Sequence, residues 1–466
     1  MEAQSVSKPL ITLGIDGLDW RYVDAHRDQL PTLASWPVLA PLRSIFPPDS
    51  IPAWTTIFTG VPPGEHGMLD SIDYLDKRPA QAAETAAEAL PHRTFWDEAG
   101  RRGKRVCVVN PFLAYPAWPV NGVMVAGPVF VTGEVSTSGI DHDRLGEIPE
   151  LGGIVSFPTP KTMGVFVEAT LRATSEQADF GIKLMRQSQP DLFFLNILTV
   201  DRMQHFAWRF ADPGDPTYPG PNPYSGAVLR AYQLVDSIAA RYAEEGPVLI
   251  ISDHGHGRRC TRMIFVDEVL RRAGLIAESA SGLRLLSSPY LIERAKRIVL
   301  GLTYRFALEV PAYKFARRLP SRKALKQSTF SSDAGSSPAR LSRLFGRNQF
   351  GGIELREDTP QMRARVRAVL DGIIDPATGR GVFEWINDRE DVVQGARIER
   401  YPPVLFKLMN GYGVDFGLYG SVFAPDVNHR RISGGHKDLG ILACSFDVEF
   451  PPDSIEGVYE TVLGLL

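Results

Sequence analysis

The sequence predicts an α/β fold: a mostly parallel central sheet sandwiched by helices, with an inserted cap region. Three observations predict it. Short apolar runs bounded by turn residues recur along the chain, which suits strands buried on both faces of a parallel sheet. Helical periodicity fills the segments between them, the alternation that builds layered α/β domains. Three of the apolar runs end in an acid, at the edge of the sheet where such folds bind ligands.

The first strand is read in "PLITLGIDG", ending at Asp16. A polar, proline-rich stretch follows, "SIFPPDSIPAWTTIFTGVPPGEHGM", from Ser44 to Met68. It gathers five hydroxyls, Ser44, Ser50, Thr55, Thr56 and Thr59, against two acids, Asp49 and Glu65. Such a stretch either leads as a polar loop into a helix or presents one hydroxyl as a nucleophile. Helical periodicity then spans Thr94 to Arg102, and "RVCVVNPF" reads as the next strand. A long helical pattern from Phe166 to Gln187 precedes the strand "DLFFLNILTVD", which ends at Asp201. Another, from Ala227 to Glu245, precedes "GPVLIISDHGHG", whose strand ends at Asp253.

The alternation weakens after about residue 270. From Glu293 to Arg347 the chain carries thirteen Lys or Arg against three acids, Glu293, Glu309 and Asp333. Residues 271–395 are therefore read as a basic insertion or cap, and 1–270 with 396–466 as the core. Core-like sequence resumes with "YPPVLFKLMN" and "GILACSF", and the chain closes on a helical "IEGVYETVLGLL". The basic stretch "IERAKRIVLGLTYRFALEVPAYKFARRL" is read as a solvated cap face, or one that steers anionic substrates, in preference to a membrane-surface helix.

Composition excludes several classes. A formal net charge of −3 offers no global field for a nucleic-acid polymer. Cys107, Cys260 and Cys444 are far apart and odd in number, so no disulfide framework or Cys-x-x-Cys metal site is read. Cys107 and Cys444 lie in apolar runs and are expected in the core. With no signal-like segment and no apolar run of about 18 residues, a soluble cytoplasmic protein is expected.

The strand-end acids carry the chemistry. A carboxylate just past a buried strand is costly unless paired or metal-bound, and Asp16, Asp201 and Asp253 share one edge of one sheet. "DRMQH" sets Asp201 and His205 four apart, on one helix face. His254 follows Asp253 directly, and "SGGHKDLGIL" adds His436 in a glycine-flanked turn. His256, in "DHGHG", stands outside this inventory as a turn histidine. Mixed oxygen and nitrogen ligands suit Zn²⁺, Mn²⁺ or Fe better than Ca²⁺. Three Asp with three His exceed one tetrahedral site, so two metals are the natural reading.

The chain order Asp-Gly, hydroxyl with Thr-Gly and His-Gly, Asp-x-x-x-His, Asp-His-Gly, Gly-His resembles the alkaline phosphatase superfamily. Within it the sequence is most similar to the type I phosphodiesterase and nucleotide pyrophosphatase family, over about residues 9–270 and 400–466. The resemblance implies a nucleophilic hydroxyl two residues before a Pro and ten before the Gly of Thr-Gly, which is Ser50 here. It implies Asp16, Ser50, Asp253 and His254 around one metal and Asp201, His205 and His436 around the other. The expected activity is hydrolysis of a small anionic phosphate ester, of diester or nucleotide type, through a phosphoseryl intermediate with two Zn or Mn ions. The alternatives are a phosphomutase or phosphotransferase, or a metal-binding homologue without turnover. Sulfatases place Arg two residues after the Pro, where this chain has Trp54, which argues against formylglycine chemistry. Ser50 is also a reasonable N-cap, with Thr55, Thr56 and Thr59 behind it in a helix and His66 forming a turn.

Overall fold

The computed structural model describes residues 8–69, 85–131, 133–152, 158–277, 298–299, 302–303, 336–418 and 421–466. The expected apolar runs form strands Leu10–Ile15 (β1), Val106–Val109 (β3), Leu192–Ile197 (β6) and Val248–Ile251 (β7), buried along their whole length. Strands Val38–Arg43 (β2), Gly122–Ala126 (β4), Ser136–Ser138 (β5) and Leu439–Cys444 (β8) complete an eight-stranded sheet in the order β2-β8-β7-β1-β6-β3-β4-β5. The pairs β7–β1, β1–β6, β6–β3 and β3–β4 are parallel, and only β8 and β5 run against their neighbours.

Helices Ser50–Thr59 (α1), Phe95–Arg101 (α2), Met163–Ser188 (α3), Thr199–Ala211 (α4) and Ala227–Glu245 (α5) connect these strands. Helix α2 starts where Thr94 and Asp97 form a reciprocal capping box. Its Phe95 and Trp96 meet Phe58 of α1 and Phe194 of β6 in edge-to-face and stacked contacts, with centroids 4.9–6.3 Å apart. All four rings are fully buried. Cys107 and Cys444 lie in the core as free thiols, where burial pushes each up to about 12.

The chain divides into two compact units. The first comprises the residues up to Gly214, Tyr218–Gly257 and Gly434–Leu466; the second comprises Asp215–Thr217 and Arg258–Ser433. The second unit has its own four-stranded antiparallel sheet, in the order Ala339–Leu341, Phe350–Leu355, Val404–Leu408, Phe383–Asp388. Helix Pro360–Asp371 places Val366 and Leu370 in its apolar core. "YPPVLFKLMN" thus departs from the sequence reading. It supplies Val404–Leu408 to this second sheet, and the chain rejoins the first unit only at Gly434. A short apolar run signals burial but not which sheet buries it.

Most of the basic stretch, including Arg317, Arg318, Arg322 and Lys323, lies outside the described residues. At its end, Arg340 pairs with Glu354, and Arg347 with Asp415 at 2.8 Å. No helix among the described residues is long and apolar enough to cross a membrane.

The aromatic cluster makes a stability prediction. Phe194→Ala should lower the unfolding free energy by about 3–5 kcal/mol in urea denaturation. A loss below about 1 kcal/mol would show that the cluster does not bind α1 and α2 to the sheet.

Candidate metal centre and nucleophile

The acids stand where the strand ends put them. Asp16 directly follows β1, Asp253 lies two residues past β7, and Asp201 is the third residue of α4, just beyond β6. His205 follows Asp201 by one helical turn, on the same face. His436 lies in the short strand Gly434–Lys437, directly before β8. Because β8 runs antiparallel to β7, its start lies at the same edge as the ends of β1, β6 and β7. Gly17 bends the chain back with φ +70°, and a Cβ there would sit 3.1 Å from Asp201 Oδ1. Only glycine meets both demands.

The first set forms around Ser50. Its Oγ lies 3.3 Å from Asp16 Oδ1 and 3.1 Å from His254 Nε2, and the residue is only 2% exposed. His254 Nε2 also lies 3.2 Å from Asp253 Oδ2. His254 Nδ1 donates to the Gly255 carbonyl at 2.9 Å, so Nε2 faces the acids and Ser50 as an acceptor. The Trp54 indole donates to Asp16 Oδ2 at 3.2 Å, leaving Oδ1 toward Ser50. Ser50 is the first residue of α1 and not its cap. Asp49, in extended conformation, caps the helix, and its side chain accepts from Ile51 N at 3.4 Å. Thr55 and Thr59 donate back to carbonyls one turn earlier, and Thr56 bonds His66 Nε2 at 3.1 Å. These hydroxyls are committed to structure, and so is His66.

The second set gathers Asp201, His205, His436 and His256. His205 Nδ1 donates to the Gly434 carbonyl at 3.0 Å, and His436 Nδ1 lies 3.4 Å from Asp49 Oδ2. Both therefore turn Nε2 inward, 3.1 Å apart, and 3.3 and 3.6 Å from Asp201 Oδ1. Behind them, Tyr232 donates to Gln204 Oε1 at 2.9 Å, and Gln204 donates to the Gly17 carbonyl.

The electrostatics of these sets call for cations. Burial first, then Asp253 and Asp201, holds Asp16 well above the usual carboxylate range; burial and Asp201 do the same to Asp253. Burial, then neighbouring imidazoles, drives His254 and His256 well below the ordinary histidine value. Burial alone would raise Asp201, but His205, His436 and His256 hold it well below its normal range. Burial opposes a charged His436, yet Asp49, then Asp201 and Asp253, push it up to about 9. A buried, positively charged His436 thus stands 3.1 Å from the inward His205 Nε2. Asp253 Oδ2 is buried without a hydrogen-bond partner among the described residues. A divalent cation in each set relieves both defects, and the O,N donor chemistry fits a transition metal.

All seven residues expected from the sequence are thus brought together in the first unit. Two were missed. Asp49 carries no motif signal beyond its place before Ser50. His256, which reads in the sequence as a turn histidine, lies in the strand Gly255–Arg258 beside the second set.

The fold and the two Asp/His sets are those of a metal-dependent phosphoester hydrolase. The chain belongs to the type I phosphodiesterase / nucleotide pyrophosphatase family, whose sequence pattern matches residues 10–332. Among solved structures it resembles phosphonoacetate hydrolase from Sinorhizobium meliloti 1021 in complex with phosphonoformate. That likeness has a TM-score of 0.58 at 17% identity and covers 98% of this chain and 95% of that one. The same enzyme with phosphonoacetate gives a TM-score of 0.58 at 16% identity, with the same coverage. No curated protein matches the chain in sequence.

Asp49 uses one oxygen for the helix and the other for His436, which separates two effects. Asp49→Asn keeps a good cap but removes the charge behind His436. It should weaken zinc binding by about 10–100-fold, read by calorimetric titration, with the urea midpoint unchanged. An affinity equal to the parent's would remove Asp49 from the metal centre.

Proposed function

We propose that this protein hydrolyses a small phosphodiester of nucleotide type through a phosphoseryl intermediate on Ser50, with two divalent ions, zinc or manganese. The observation that carries the reading is the seat of Ser50 Oγ. It is buried at a helix N-terminus, within hydrogen-bonding reach of Asp16 and His254. One ion would be held by Asp16, Ser50, Asp253 and His254, the other by Asp201, His205 and His436. When bound, such cations polarise phosphoryl oxygens and lower the pKa of a coordinated hydroxyl.

The chain's own groups do the rest. His254 would give its Nε2 to the ion, and the Asp16 carboxylate, 3.3 Å from Ser50 Oγ, favours loss of the hydroxyl proton to solvent. Ser50 Oγ then attacks phosphorus in line, forming a P–O bond as the bond to the departing alkoxide breaks. Water later takes the phosphoryl group and restores the hydroxyl. The N-terminus of α1 adds partial positive charge beside the transferring phosphoryl group. Trp54 fixes Asp16, and Asp49 with the Gly434 carbonyl fixes the imidazoles opposite, so little reorganisation is needed as charge develops.

Turnover of a nitrophenyl phosphodiester, a nitrophenyl monoester and phosphonoacetate tests this reading, with zinc or manganese supplied. The diester should be preferred, and chelation should abolish activity. Ser50→Ala should lower kcat by about 10³-fold or more while keeping fold and metal content. Thr55→Ala and Thr56→Ala should retain kcat and lose only stability. A fast Ser50→Ala enzyme, or a dead and well-folded Thr55 variant, would move the nucleophile elsewhere.

A further inference from the structure

We infer that His256 is a fourth protein ligand to the cation held by Asp201, His205 and His436, closing that set as one carboxylate oxygen and three imidazole nitrogens. The inference rests on the two-cation reading above and adds a residue to it.

Geometry is the first support. His256 Nε2 lies 3.4 Å from Asp201 Oδ1. That oxygen also lies 3.3 Å from His205 Nε2 and 3.6 Å from His436 Nε2, and those two nitrogens are 3.1 Å apart. Bonds of about 2.0–2.1 Å to a tetrahedral zinc separate neighbouring ligand atoms by ~3.3 Å. The four contacts scatter around that value. The ring centroid of His256 is 4.6 Å from that of His205 and 5.8 Å from that of His436, so the imidazoles converge without stacking.

The second support is what His256 lacks. It is 1% exposed, yet neither ring nitrogen makes a hydrogen bond among the described residues. The 3.4 Å approach to Asp201 therefore lacks hydrogen-bond geometry. A buried imidazole with both nitrogens unsatisfied is costly, and a metal bond at Nε2 offsets much of that cost.

The surroundings hold the ring in place. The His256 backbone N donates to Asp19 Oδ2 at 3.1 Å. Across from it, a Cβ on Gly434 would sit 2.5 Å from His256 Cε1, so glycine keeps room for the imidazole. His256 is the second residue of the extended segment Gly255–Arg258, and His254 lies directly before that segment. One "DHGH" run thereby serves both sets, with His254 in the first and His256 in the second.

Catalytic zinc commonly keeps three protein ligands and an open position, whereas four protein ligands close a site. With His256 in place, a substrate oxygen enters this set only as a fifth ligand or by releasing an imidazole. The set therefore holds its cation tightly and exchanges it slowly.

A zinc-loaded crystal structure, with the ions located by anomalous scattering, tests this directly. We expect His256 Nε2 at about 2.0–2.1 Å from the ion shared with Asp201, His205 and His436. An ion at that set with His256 Nε2 beyond ~3 Å, hydrogen-bonded to Asp201, overturns the inference and leaves the two-cation reading standing. Absence of any ion at that set overturns both. In solution, cobalt substitution of chelated protein should give an intense visible band, which His256→Gln weakens together with a loss of more than ~100-fold in affinity for one of two cations. A supporting residue would cost about 10–100-fold. An unchanged cobalt spectrum in His256→Gln also sinks the assignment.

Discussion

The crowding of buried carboxyl and imidazole groups at the carboxyl edge of the sheet is the constraint from which the rest of the arrangement follows. Asp16, Asp201 and Asp253 are buried within reach of one another, and four imidazoles share the space. Without cations, acids raise one another and imidazoles suppress one another. No apolar packing relieves that conflict, because the defect is electrostatic and local. Under the proposed two-ion reading, divalent cations would turn the same groups from mutual antagonists into a shared cage.

The fold works to keep that cage in shape. Parallel β1, β6 and β7 deliver an acid each, and antiparallel β8 returns the chain so that His436 arrives at the same edge. Each inward nitrogen is aimed by what holds its partner: Gly255 carbonyl for His254, Gly434 carbonyl for His205, Asp49 for His436. Trp54 performs the same service for a carboxylate. Gly17 and Gly434 leave out the side chains that would fill the space these groups need.

Much of this was legible in the sequence because it follows periodicity. Buried strands announce themselves as apolar runs, and an acid at the end of one is conspicuous. Helices α2, α3 and α5 fall within a few residues of their expected limits, since caps and amphipathic period mark them. Asp49 was hidden because supporting carboxylates obey no spacing rule; its partner His436 is near only in three dimensions. Ser50 and Asp49 both cap well by residue type, and only the extended backbone of Asp49 identifies it as the cap of α1. "YPPVLFKLMN" misled because its apolar run belongs to the second sheet.

The ligands are drawn from Asp16 through His436, and this has a consequence for timing. Ribosomes add about 5–20 residues per second, so the first acid waits for many seconds before the last imidazole exists. His436 and β8 emerge together, and β8 is the strand that fits between β2 and β7. Closure of the sheet and assembly of the Asp/His sets are thus one event. Until then neither the sheet nor the paired Asp/His sets can be complete.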